Sequence, residues 1–188
     1  MSAPPGPAPL RVAIFGAEST GKTALAAALA ARFGEPWSPE FVREFWDARG
    51  GVITAADLDA IARGQIAGEE ATVARARRVV FHDTELLTCV LWDDLLFPGA
   101  CPAWARAEAE CRARGIALWL LCDTDLPWSP DPQRCFPDAA GRAMCRRLWR
   151  EALEVRGLPF AEITGAGLVR EARAVAAVER RLGAAEGR

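Results

Sequence analysis

The chain contains no tyrosine and only one lysine, Lys22, alongside 22 arginines. Arginine serves as well as lysine on a solvated surface. A compact ammonium on a slim stem, however, reaches places where a planar guanidinium does not fit. The single lysine lies in a glycine-containing segment, residues 16–23. Its retention at this one position indicates that the ammonium group has a specific partner.

Metal-binding residues are also sparse. Six cysteines are spread along the chain without a C-x-x-C pair, and His82 is the only histidine. This pattern does not fit a zinc site. The sequence opens with no charged-then-apolar leader, and no apolar run approaches the roughly 18 residues of a membrane span. We therefore expect reduced thiols, a cytoplasmic location and no membrane partner.

The charge balance excludes another class of partner. A net charge of −2 gives no basic excess for binding nucleic acid, and nothing in the composition indicates an obligatory protein partner. The length of 188 residues suits one domain. We predict a folded unit over residues 10–183, with disordered tails at the Pro/Ala/Gly-rich residues 1–9 and at residues 184–188.

Residues 16–23, here called the phosphate loop, read G-A-E-S-T-G-K-T and match the pattern G-x-x-x-x-G-K-[ST]. In such loops backbone N–H groups cradle phosphates, the lysine reaches the outer phosphates and the last hydroxyl binds Mg²⁺. The alternative is an ordinary glycine turn that caps a helix. We assign the whole loop to nucleotide binding: Gly16, Ala17, Glu18, Ser19, Thr20, Gly21, Lys22 and Thr23.

The surrounding pattern predicts an α/β fold. Apolar strands at 10–15, 79–82, 116–122 and 158–163, with a possible short strand at 35–39, alternate with helical segments. The helical segments follow the phosphate loop and lie near 40–48, 85–95, 103–114, 138–156 and 167–182, with another opened by a capping box at 54–57. Together with the phosphate loop, this order predicts a P-loop NTPase with a five-stranded parallel sheet flanked by helices.

Ligands of such sheets bind beyond the carboxyl ends of the strands, where Gly16, Asp83, Asp123 and Asp125 follow three of the strands. Asp83 is the candidate to hold Mg²⁺, to accept the proton of an attacking hydroxyl, or to do both. Capping of the next helix is the alternative role for Asp83. His82 precedes it and, by strand alternation, points to the opposite side as a core residue.

Several further segments resemble the kinase domain of NadR-type proteins, which are ribosylnicotinamide kinases among the P-loop nucleoside kinases and AAA-like ATPases. Together with the phosphate loop, they cover nearly the whole folded unit. They are S-P-E-F-V-R-E-F-W at 38–46, I-A-R-G-Q at 61–65, D-T-E-L-L-T at 83–88, D-L-P-W at 125–128 with Arg134, and R-G-L-P-F at 156–160.

The resemblance implies that ATP phosphorylates the 5′-hydroxyl of a ribosylated pyridine, with Mg²⁺ held by Thr23 and Asp83. Lys22, Asp83 and Arg134 would be catalytic, and Arg142 would contact the nucleotide. The Pro/Asp-rich residues 125–142, here called the lid segment, would close over the phosphates. The remaining candidates would bind the acceptor: Arg43, Glu44, Trp46, Asp125 and Trp128.

Two departures leave the acceptor open. Phe41 and Phe45 replace tyrosines of the family, and only 15 residues precede the phosphate loop, where well-known members carry an adenylyltransferase domain. The resemblance therefore does not carry adenylyltransferase activity over to this chain. The alternatives are another nucleoside acceptor, or a regulatory nucleotide switch with no acceptor at all. The absence of an N-K-x-D segment argues against a GTP switch.

Overall fold

The computed structural model describes residues 8–187. The strands in this range are β1 (Leu10–Phe15), β2 (Trp37–Ser38), β3 (Val79–Asp83), β4 (Leu118–Cys122) and β5 (Phe160–Ile163). The helices in this range are α1 (Lys22–Phe33), α2 (Phe41–Ala48), α3 (Leu58–Val73), α4 (Leu86–Leu96), α5 (Ala103–Gly115), α6 (Ala139–Glu154) and α7 (Gly167–Glu186). A short 3₁₀ turn at Ala55–Asp57 leads into α3.

The five strands form one sheet in the order β2-β3-β1-β4-β5, and every neighbouring pair is parallel. The predicted five-stranded parallel sheet is therefore confirmed. The chain leaves β1 toward β2 on one side of the sheet, whereas it leaves the neighbouring strand β4 toward β5 on the other side. A crevice at such a switch point is where ligands of open α/β sheets bind.

The central strand β1 is buried on both faces. Val12 and Ile14 pack on one side with α1 and α7, whereas Ala13 and Phe15 pack on the other with α4 and α6. Successive side chains of a strand point to opposite faces, so a continuous apolar run suits a strand covered on both sides. Helices on both faces therefore hold the carboxyl end of β1 in a fixed place.

Two local features position α2 and α3. The side chains of Thr54 and Asp57 form the expected capping box ahead of α3. Within α3, a Cβ atom on Gly64 would lie 2.1 Å from the ring of Phe41. Glycine costs helix stability, and here it lets the ring of α2 sit directly on the α3 backbone. The two helices thus pack closely enough to form one wall beside the sheet.

The chain end differs from prediction. Helix α7 continues to Glu186 and so occupies much of the stretch 184–188 that the composition marks as a disordered tail. Of the other predicted tail, residues 1–7 lie outside the described residues. All six cysteines are free thiols. None of the helices within residues 8–187 has the length and apolar character needed to cross a membrane.

Candidate active site

The phosphate loop is pressed against the end of β4. Gly16 has φ 143°, and a Cβ atom there would lie 2.7 Å from the carbonyl oxygen of Cys122. Gly21 has φ 74°, and its Cβ would lie 2.9 Å from Leu126. Both positions need glycine, because any side chain would meet strained φ values and a neighbouring group. The loop backbone is therefore fixed by local geometry.

The loop runs directly into α1, where its polar side chains converge. The Lys22 ammonium donates a hydrogen bond to the Ala17 carbonyl at 2.8 Å, and the Thr20 hydroxyl donates to the same oxygen at 2.7 Å. Free N–H groups and the helix dipole make the first turn of a helix a favourable place for anions. The structure thus combines the lysine, the loop amides and a helix N-terminus at one point.

Asp83 ends β3 beside Ile14 of β1, and only 1% of its surface is exposed. The Thr23 hydroxyl donates to Asp83 Oδ2 at 2.5 Å, while Oδ1 is buried and has no hydrogen-bond partner in the described residues. Burial raises the pKa of Asp83, and the positive charge of Lys22 opposes this shift. An unpartnered oxygen beside a cation is suited to a ligand.

Thr23 and Asp83 fit a magnesium ion. Mg²⁺ prefers hard oxygen ligands and is usually held by one or two protein groups, with water and phosphate oxygens completing its shell. The free Oδ1 of Asp83 supplies such a donor. Within residues 8–187 no group of three acidic, histidine or cysteine side chains forms a closed metal site. This pair therefore suits a metal that arrives with its nucleotide.

Glu85, and not Asp83, caps α4. The Glu85 carboxylate accepts the backbone N–H of Thr88 at 3.2 Å. Thr84 between the two carboxylates has φ 66°, an unusual value for a threonine, and lies fully buried. The alternative role of Asp83 as a helix cap is therefore wrong. The strained turn leaves Asp83 at the strand end and turns the next carboxylate to the helix.

His82 belongs to the core, as strand alternation predicts. Its Nδ1 lies 2.8 Å from the Ser38 hydroxyl of β2, and the side chain is completely buried. Burial lowers the pKa of His82 to about 3, so the imidazole is neutral at physiological pH. The only histidine of the chain is thus part of the packing between β2 and β3.

The lid segment touches the phosphate loop at two points. Glu18 accepts the backbone N–H groups of Cys135 at 2.9 Å and Phe136 at 2.6 Å. The Ser19 hydroxyl accepts the backbone N–H of Ser129 at 2.9 Å. Two variable positions of the loop motif therefore bind the lid backbone, a role that the sequence pattern did not indicate.

Arg134 lies where the lid meets the loop. Its guanidinium is 3.4 Å from the Ser19 hydroxyl and donates to the Ser129 carbonyl. It also lies 5.6 Å from the ring centroid of Trp128. The arginine side chain is only 16% exposed, so it is largely shielded from solvent. The structure brings this predicted catalytic residue to the phosphate loop.

Arg142 lies farther back. It is in the first turn of α6 and donates to the carbonyls of Thr124 at 2.9 Å and Leu126 at 2.8 Å. Its guanidinium is 5.8 Å from the ring centroid of Trp128, on the same lid tryptophan that faces Arg134. Arg142 therefore holds the start of the lid segment to its end.

The carboxylate of Asp125 is occupied by contacts within the protein. It pairs with Arg170 at 2.8 Å and accepts the backbone N–H of Gly165. Arg170, from α7 and only 4% exposed, also donates to the Thr20 carbonyl at 2.8 Å and the Asp123 carbonyl at 3.1 Å. Asp125 thus anchors an arginine that supports the phosphate loop from behind, and the acceptor role predicted for it is not supported by these contacts.

A cavity of about 270 Å³ opens beside the loop. Lys22 and Glu18 line one part of it, and α2, α3, α4 and the lid segment form the remaining walls. Of the predicted acceptor residues, Arg43 and Trp46 line this cavity. Arg43 also forms ion pairs with Glu40 at 3.1 Å and with Asp131 of the lid at 3.2 Å.

Two predicted acceptor residues lie elsewhere. Glu44 is exposed on α2, and Trp128 packs between two lid arginines; neither lines the cavity. One turn earlier in the chain, Glu40 does line it. The P-E-F-x-R-E segment thus lies beside the cavity, where the first of its two glutamates lines the cavity and the second is exposed to solvent.

A family model described as an AAA domain, AAA_28, matches residues 11–171. The chain belongs to this family. Its match spans the phosphate loop, the lid segment and Arg170. Among curated proteins, no sequence matches this chain. Membership agrees with the P-loop nucleotide-binding domain that the phosphate loop predicts.

Two solved structures resemble this AAA domain closely in fold. One is the crystal structure of NadR protein in complex with NAD and AMP-PNP, with a TM-score of 0.70. The other is NadR protein in complex with NR, with a TM-score of 0.71. Each is 22% identical and covers 94% of this chain. The AAA domain spans 50% of the length of either NadR chain, so the likeness establishes the fold.

Sequence reasoning missed a set of cavity residues on α4 of the AAA domain. Their spacing of three to four residues places them on one helix face, a signal that is visible in the sequence but ordinarily means core. They are Thr88, Cys89, Trp92, Asp93, Leu96 and the following Phe97. Asp93 stands out in this set, because a helix that only packs in the core does not need a buried aspartate among apolar neighbours.

Proposed function

We propose that the chain is an ATP-dependent kinase that phosphorylates the 5′-hydroxyl of nicotinamide riboside or a similar nucleoside. The observation that carries this proposal is the cavity beside the phosphate loop, which reaches Lys22. A phosphotransferase needs a second substrate next to the triphosphate, whereas a nucleotide switch does not. NadR protein, similar in fold, has been crystallised with NR and with NAD and AMP-PNP, which is consistent with this assignment.

The phosphate loop would hold the triphosphate. Its backbone N–H groups and the N-terminus of α1 suit the phosphates, and Lys22 would leave the Ala17 carbonyl to contact the outer ones. Thr23 and Asp83 would hold Mg²⁺, which neutralises charge on the phosphate oxygens when bound. Phosphoryl transfer depends chiefly on positioning and on such electrostatic stabilisation.

In this proposal, Asp83 takes the proton from the hydroxyl group of the nucleoside substrate. The 5′ oxygen would form a bond to the γ-phosphorus as the bond between that phosphorus and the ADP oxygen breaks, and the hydroxyl proton would pass to the carboxylate. A pKa raised by burial makes Asp83 a better proton acceptor than an exposed aspartate.

The lid segment would complete the site. Arg134 already lies at Ser19 of the phosphate loop, where a cation can stabilise negative charge that develops on the transferred group. Trp46 lines the cavity and offers an aromatic face to a pyridinium ring, and Arg43 offers donors to ribose hydroxyls. Excluding water from this cavity would protect the triphosphate from hydrolysis.

An ADP-release assay with MgATP tests the proposal across a panel of nucleosides that includes nicotinamide riboside. We expect release that depends on an added acceptor. Tight nucleotide binding without acceptor-stimulated release would instead identify a regulatory switch, and stimulation by another nucleoside alone would reassign the acceptor. Product mass identifies which hydroxyl-bearing compound gained the phosphoryl group.

A further inference from the structure

Two carboxylates that line the cavity, Glu18 and Asp93, form no ion pair within residues 8–187, and Glu18 instead accepts two backbone N–H groups of the lid segment. Asp93, on α4, lines the cavity and is only 7% exposed. Within residues 8–187 no arginine or lysine forms an ion pair with it; the nearby Arg106 pairs with Asp94 instead, at 2.6 Å. The Cys101 thiol is its one neutral neighbour within hydrogen-bonding reach. A buried charge normally has a partner, so this one lacks its counter-charge.

The other charged groups of the cavity each have at least one partner, and Arg134 among them donates to the Ser129 carbonyl. Glu18 accepts two lid N–H groups, Glu40 pairs with Arg43, and Lys22 donates to the phosphate loop. Burial, and then the nearby Asp94 charge, raise the pKa of Asp93 to about 6. A positive group in the cavity would relieve the energetic cost that this shift records.

The place of Asp93 suits the base of a nucleoside. Helix α4 starts just after the Asp83 strand end, and Asp93 lies seven residues beyond Leu86, roughly 10 Å along a helix that rises 1.5 Å per residue. This is the order of length of a nucleoside from its 5′ oxygen to the far edge of its base. An acceptor hydroxyl near the phosphates thus brings the base toward Asp93, past Trp92 and Trp46 of the walls.

We propose that Asp93 makes the cavity selective for nucleosides whose base carries a positive charge, and that it rejects a base that carries a carboxylate. This inference rests on the proposed function, because it assumes that the cavity holds the acceptor. A cationic ring is attracted by the aspartate and by the tryptophan faces. A carboxylate on the same ring meets a like charge in a poorly solvated place.

Equilibrium binding of two probes tests this selectivity on the full chain. Nicotinamide riboside and nicotinic acid riboside are titrated calorimetrically in the presence of Mg²⁺ and a non-hydrolysable ATP analogue. We expect the wild type to prefer nicotinamide riboside at least roughly tenfold, and Asp93→Asn to lose about that factor. Asp93→Glu keeps the charge and should keep the preference. Equal affinities in the wild type, or an unchanged ratio in Asp93→Asn, would overturn the proposal.

A control is provided by Asp47 on α2. Asp47→Asn removes an exposed carboxylate that lies outside this cavity, and the binding ratio of this variant should stay within about twofold of the wild type. Thermal melts identify a variant that does not fold. In that case the ratio of the two riboside affinities in the wild type tests the proposal by itself. Selective binding without ADP release would reject the kinase while keeping the site, whereas ADP release with both ribosides at equal efficiency would reject Asp93. Failure of both probes to bind also overturns the inference.

Discussion

Eight consecutive residues build the phosphate loop, whereas side chains from α2, α3, α4 and the lid segment build the cavity beside it. The loop works through its backbone: two glycines with positive φ values, a helix N-terminus and one lysine. The cavity works through side chains whose direction depends on how helices pack. A short stretch of sequence therefore specifies the phosphate loop, whereas the cavity forms only when distant segments pack together.

The two regions also differ in how they are held. Arg170, which pairs with Asp125, braces the phosphate loop from behind through a buried hydrogen bond to the Thr20 carbonyl. The cavity is closed by the irregular part of the lid segment, which contacts the loop through Glu18 and Ser19. A braced phosphate loop next to an irregular wall fits the proposal that the lid segment closes over bound substrates and excludes water.

The largest effect is expected when the proposed proton acceptor, at the boundary between the phosphate loop and the cavity, is removed. Asp83→Asn keeps the size of the side chain but removes the proton acceptor, so we expect kcat to fall roughly 1,000-fold. Calorimetry should still detect nucleotide binding, because the loop amides and Lys22 remain. A near-normal kcat would mean that Asp83 serves the structure only.

The next effect concerns the single lysine. Lys22→Arg preserves charge but replaces a compact ammonium with a planar group, and we expect a loss of roughly 100-fold in ADP release. Arg32→Lys, at the exposed end of the same helix, is the matched reverse exchange and should leave turnover unchanged. Normal activity of Lys22→Arg would contradict the interpretation of lysine scarcity.

A smaller effect is expected behind the phosphate loop. Arg170→Ala leaves the Thr20 carbonyl and Asp125 without their buried donor, so KM for MgATP should rise roughly tenfold while KM for the acceptor changes little. Arg173→Ala, on the exposed side of α7, serves as the control. A parallel rise in both KM values would show that Arg170 supports the cavity as well as the phosphate loop. The two regions would then not be held independently.

The smallest effect separates two tryptophans. Trp46 lines the cavity and Trp128 does not, so Trp46→Leu should raise the acceptor KM roughly fivefold, and Trp128→Leu should leave it nearly constant. Initial rates at saturating MgATP measure both. If Trp128→Leu raised the acceptor KM more, the lid tryptophan would reach the acceptor in the closed state.

Much of the fold follows from local patterns. The glycine loop, the apolar strands and the capping box at Thr54 and Asp57 predict the parallel sheet and its helices, because each depends on residues close in sequence. The last helix passes the predicted end, since the small and charged residues after 182 suit a helix as well as a tail. Composition alone does not separate these states.

The sequence by itself determined the conformation of the phosphate loop, because the two glycines and the lysine that define it lie within eight residues. Only the tertiary structure decided which of Glu40 and Glu44 faces the cavity, that Asp125 pairs with Arg170, and that Asp93 is buried without a counter-charge. These outcomes depend on contacts between residues far apart in the chain. Helix packing sets such contacts, and no single segment contains that information.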